Sequence, residues 1–174
     1  TTTGGPSIIA SAPYADLGGN NKGAAYTYRY NGSAWVFLQT LAPADLGIND
    51  YFGWEVTIDG DFCAVSAPYQ DNATYSSVDA GAFYVYVMGG GVWTQQQKLI
   101  GTTANANLGY SLSLQQDKIA AGAPTASPYS NTTALVSIYS RSGATWSPFT
   151  NINLYQNQGF DVTNRFGISV ALDG

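Results

Sequence analysis

The 174 residues contain no histidine and a single cysteine, Cys63. Without histidine there are no Ser-His or Cys-His catalytic pairs, and the commonest nitrogen ligand for metals is missing. A lone cysteine forms no internal disulfide. Cys63 lies in the apolar run "FCAVS" with no basic neighbour to lower its pKa, so it reads as a small buried hydrophobe rather than a reactive thiol. Charge is scarce as well. Charged residues make up 10% of the chain, against roughly 25% in ordinary soluble domains. The net charge of −5 offers no basic patch for nucleic acid or an anionic membrane. No apolar run approaches the roughly 18 residues of a spanning helix.

What is present is a repeat. Ala-Pro pairs at 12–13, 67–68 and 123–124 are spaced by 55 and 56 residues. A small-residue run precedes each pair ("SIIAS", "FCAVS", "KIAAG"), and a Tyr- or Val-rich alternation follows ("AAYTYRY", "AFYVYV", "LVSIYS"). Next come a glycine turn and a strand opened by Trp35, Trp93 or Trp146, each with an aliphatic residue six positions on. Six is even, so both ends of that strand are expected on one side of a sheet. An opening strand recurs as "YFGWEVTI", "LGYSLSL" and "RFGISVAL". In the first of these Phe52, Trp54, Val56 and Ile58 alternate with polar or small residues, and Asp59-Gly60 suits a two-residue hairpin turn. Pro13, Pro68 and Pro124 mark where pairing stops.

Four short strands per period describe β-propeller blades, with a β-sandwich of coincidentally similar hairpins as the alternative. The expected organisation is a single all-β segment over 1–174. It holds three four-stranded antiparallel repeats of about 55 residues: 1–50 lacking its first strand, 51–107, 108–164, then 165–174 as the first strand of a blade. That split blade would be completed in cis or in another chain.

"YFGWEVTIDGDFCAVSAP" resembles the FG-GAP repeat of integrin alpha-chain propellers and of compact bacterial and protist surface proteins. Phe52-Gly53, Gly60-Asp61, Ala67-Pro68, Gly122-Ala123-Pro124 and Phe166-Gly167 carry the likeness, while Leu108 replaces the Phe and Ser11 and Ser66 replace a Gly. The resemblance implies an extracellular propeller. Its calcium-binding versions place an Asp-rich loop between the first two strands. Here that connection is "DGD" or "QQD", too poor in oxygens for the six to eight ligands Ca²⁺ takes, so no cofactor is expected. Asp16, Asp71 and Asp79, in the loops after the Ala-Pro pairs, read as turn-forming residues.

Asn31, Asn72 and Asn131 open Asn-x-Ser/Thr sequons in turns or loops, as glycosylation of a surface requires; unmodified sequons in a bacterial protein are the alternative. The expected function is that of a non-enzymatic, secreted or cell-surface protein for adhesion or structural assembly. Its partners would be other copies, joined by strand complementation or blade packing, or cell-surface proteins and glycans; nucleic acid and membrane insertion are excluded. The alternative is a lectin-like carbohydrate-binding module using exposed loop aromatics. An enzyme is the disfavoured third class.

Overall fold

The computed structural model describes residues 5–124, 134–153 and 165–173. These residues form eleven β-strands and no helix. The first sheet comprises β1 (Ser7–Ala12), β2 (Ala24–Tyr30) and β3 (Trp35–Leu41), in that order. The second comprises β4 (Val56–Asp59), β5 (Phe62–Ala67), β6 (Ala82–Gly89) and β7 (Val92–Ile100). The third comprises β8 (Ser111–Gln115), β9 (Lys118–Ala123), β10 (Leu135–Ser142) and β11 (Thr145–Asn153). Every pairing between these strands is antiparallel and joins sequence neighbours. The all-β sheets are blade-like, and among the described residues they do not close into a ring.

Successive sheets pack face to face around two apolar cores. In β5 and β6 the period of two sorts side chains between them. Cys63, Val65, Tyr84 and Tyr86 join Ala25 and Leu41 of the first sheet. Ala64, Phe83 and Val85 turn the other way, to Leu112, Ile119, Tyr139 and Trp146 of the third. A strand covered on both faces needs no polar alternation, which is why "FCAVSA" reads as a continuous run. Burial also holds the Cys63 thiol protonated, its pKa raised far above the usual value. β1 has the same sequence character, yet Ser7 to Ala10 alternate between half-buried and exposed because one face has no covering sheet.

Four local expectations are revised. The opening strand of the second sheet starts at Val56, not Phe52. Gly53 at φ +91° turns the chain, and the Trp54 amide closes that turn on the Tyr51 carbonyl. The hairpin turn is Gly60-Asp61, one residue beyond Asp59-Gly60, because Asp59 still pairs with Phe62. Residues 165–173 form no strand, so no split blade is closed in cis among the described residues.

The tryptophan strand also fails to keep both ends on one side. Each such strand carries a bulge at the same place, opposite Thr27/Tyr28, Val85/Tyr86 and Ile138/Tyr139. An extra residue reverses the parity of everything after it. Trp93 therefore lies in the first core and Leu99 in the second.

Candidate functional site

The repeat's Phe-Gly is a joint between sheets. Gly53, Gly109 and Gly167 have φ of +91°, +86° and +85°. A Cβ on each would press on the carbonyl oxygen of Ala24, Ala82 or Leu135, the residues that open β2, β6 and β10 in the preceding sheet. The neighbouring amides complete the joint: Phe52 donates to the Lys22 carbonyl at 2.9 Å and Leu108 to that of Ala80 at 3.0 Å. Phe52 and Leu108 are both buried, so the leucine fills the phenylalanine's place.

A second joint was not visible in the sequence. Gln39 Nε2 donates to the Trp93 carbonyl at 3.0 Å, and the Trp93 amide returns a 3.0 Å bond to Gln39 Oε1. Gln97 repeats this on Trp146, with both bonds at 2.8 Å. Each glutamine follows its strand's bulge, which aims the side chain at the next sheet. Thr150 holds the corresponding position in β11.

The three tryptophans share a sequence position but not an environment. Trp93 is 3% exposed and Trp146 is 1% exposed, while Trp35 is 46% exposed. A preceding sheet covers the first two, whereas Trp35 stands on the open face of the first sheet. There it packs on Tyr30, and Phe37 packs on Tyr28.

At the other end of the stack, residues 165–173 lie against the third sheet as β8 lies against the second. The Leu172 amide donates to Ser113 Oγ at 2.9 Å, as the Leu114 amide donates to Thr57 Oγ1 at 3.2 Å. Ser111 Oγ donates to the Gly167 carbonyl at 2.8 Å. This segment thus occupies the place of a further opening strand, carrying Phe166-Gly167.

The loops sort the expected glycosylation residues. Asn31 is exposed, its Oδ1 accepting the amides of Ser33 and Ala34 in a local turn. Asn72 differs: it is 3% exposed, and its Nδ2, the acceptor atom for a glycan, donates to the Gly101 carbonyl at 2.6 Å. Asn131 lies outside the described residues. The loop aspartates close turns: Asp16 Oδ1 accepts the Asn21 amide and Asp71 Oδ1 that of Asp79, at residues with φ of +50° and +48°. Among the described residues no three His, Cys, Asp or Glu side chains are grouped as metal ligands.

Two surfaces combine polar or aromatic groups. A groove of about 490 Å³ is lined by Asp45, Asp50, Gln70, Asp71 and Lys98, among others. Its groups are tied to one another. The buried Tyr84 hydroxyl lies 2.8 Å from Gln70 Oε1 and 3.1 Å from Asp45 Oδ1, and Lys98 Nζ is 2.7 Å from Asp45 Oδ2. Burial raises the Asp45 pKa, but Lys98 and Tyr84 outweigh it and hold the carboxyl below its usual value. Asp50 is shifted upward, chiefly by burial, although the Gly47 amide opposes the shift. The second surface is a belt of rings: Tyr14, Tyr51, Trp54, Tyr69 and Tyr110, with successive centroids 5.3–6.2 Å apart. Tyr14 is exposed and the others are half-buried. Burial, with the neighbouring Tyr110 and Asp79, raises the Tyr69 pKa.

A comparison with curated proteins finds no match. A family comparison matches residues 35–86 to the FG-GAP repeat. The matched stretch runs from Trp35 through the Phe52-Gly53 joint to Tyr86 in β6, so it spans one complete connection between sheets. The repeated joints and this match agree: residues 35–86 of the chain carry an FG-GAP repeat.

Proposed function

We propose that the chain is a non-enzymatic extracellular adhesion or structural protein: a β-propeller unit that joins further copies in a closed ring or a filament, or forms part of a longer surface protein. The carrying observation is the placement of residues 165–173 on the third sheet, where a further opening strand would lie, while among the described residues β1 has no opening strand beside it. A C-terminal segment of one copy along β1 of the next would complete that sheet in trans, a head-to-tail contact that gives a ring if its rotation closes. Two copies would supply six sheets, within the roughly four to eight blades of propellers. An extracellular setting is supported by the FG-GAP match, the scarcity of charge and the exposed Asn31 sequon. No helix among the described residues is long and apolar enough to cross a membrane. Light scattering on the chain at concentrations up to about 100 μM tests the assembly of copies. Oligomers are the expected result, and a stable folded monomer at that concentration refutes assembly.

The aromatic belt favours a second reading, a lectin-like module whose rings stack on sugars. Binding on a glycan array that disappears with Tyr14→Ala and Trp54→Ala would support it over the first.

A further inference from the structure

The open face of the first sheet has two internal precedents. In register, Ile8 pairs with Tyr28 and Tyr28 with Phe37, while Tyr30 pairs with Trp35, so these five side chains share one face. The equivalent rows are Cys63, Tyr86 and Gln95 with Met88 and Trp93 in the second sheet, and Ile119, Tyr139 and Pro148 with Arg141 and Trp146 in the third. The preceding sheet covers Cys63, Tyr86, Met88 and Trp93 in one row and Ile119, Tyr139 and Trp146 in the other, while Gln95 and Pro148, at the rim, stay exposed. At the first sheet Ile8, Tyr30, Trp35 and Phe37 are all exposed.

The third sheet presents the complementary side. Ile138 and Ile152 stand where Val85 and Leu99 meet the next sheet, and Ile152 is exposed. We infer that the aromatic face around Trp35 is the docking surface for the third sheet of a second copy of this chain, a reading that rests on the assembly proposal above. The argument for that occupant is that one contact satisfies two separate features. Pairing β1 with residues 165–173 of another copy sets the first sheet on that copy's third sheet. The same placement puts Trp35 where Trp146 sits on the second sheet. A partner of different architecture would meet the edge or the face but not both.

The junction differs from the internal joints at one residue. Position 150 is Thr, and its short side chain does not span to the Trp35 peptide as Gln39 and Gln97 span to Trp93 and Trp146. The contact between copies lacks the two hydrogen bonds that fasten each internal joint, so it is the weaker and reversible one.

Sedimentation of three forms of the full chain tests this: wild type, Thr150→Gln and Trp35→Ser, with Tyr75→Ser as an exposed control and near-UV circular dichroism to confirm folding. Thr150→Gln should tighten association about tenfold, two net hydrogen bonds being worth roughly that factor or more. Trp35→Ser should weaken it by at least about tenfold, since loss of a large buried ring costs more than one decade, and Tyr75→Ser should leave it unchanged. Association of wild type that neither Thr150→Gln nor Trp35→Ser alters would overturn the face assignment while sparing assembly. If wild type and Thr150→Gln both remain monomers to about 100 μM, a Kd weaker than −5 to −6 kcal/mol, assembly and docking surface fall together.

Discussion

The side-chain amide of Gln97 grips the peptide of Trp146 in the next sheet with two 2.8 Å hydrogen bonds, one given and one received. Gln97→Ala would leave the Trp146 amide and carbonyl without these partners. Unmet polar groups of this kind cost about 1–3 kcal/mol when water is excluded. Chemical denaturation should show a loss in that range, and Gln39→Ala a similar one. No loss in either variant would mean that water replaces the amide freely.

The tryptophans separate position from burial. Trp146→Ala removes a ring that is 1% exposed and packs edge-on against Phe62, so it should cost about 3–5 kcal/mol. Trp35→Ala in the monomer should cost well under half as much, since nearly half of that ring is already in water. Denaturation at concentrations too low for association compares the two directly.

Asp50 supplies a pH test. Burial holds its folded pKa above the ordinary 3.8, so the folded state takes up the proton more readily than the unfolded chain. Stability from this group is therefore greatest below 3.8 and is lost as pH rises through the folded value. Asp50→Asn keeps an oxygen for the Gly47 amide but never ionises. Its stability relative to wild type should be highest at about pH 7 and should shrink towards about pH 4. A constant difference across that range would show that Asp50 titrates normally.

Secretion from a glycosylating host separates the sequons. Asn31 should carry a glycan and Asn72 should not, once folding has drawn its amide to Gly101. Peptide mapping with mass spectrometry reads both sites. A glycan on Asn72 would require modification before this loop closes.

Much of the fold was legible because the repeat writes its landmarks in residues with few substitutes. Gly53 and Gly167 mark a joint where the backbone turns against a carbonyl, and Pro68 marks the end of pairing. The buried β5 and β9 were legible from their unbroken apolar runs. The bulges were not, because Leu38, Gln96 and Phe149, the extra residues, share no chemistry. Missing the bulges hid the glutamine joints, since Gln39 and Gln97 sit in ordinary polar surroundings until parity reverses. Exposure of Trp35 and burial of Asn72 were hidden for another reason. Both depend on what lies across the gap, a covering sheet or the Gly101 carbonyl, and neither neighbour is local in sequence.

The two cores give unfolding a direction. Contacts between sheets run β1 to β4, β3 to β7, and β4 and β5 to β8, without comparable contact between the first sheet and the third. In such a linear stack each unit draws stability from its nearest neighbours, so terminal units fray at lower cost than central ones. The second sheet is flanked on both sides and acts as the keystone of cooperativity. Its amides report global opening, while those of β1 report local opening at the end of the row. A lost residue in β5 or β6 therefore loosens both ends at once, whereas one in β1 leaves the remaining stack standing.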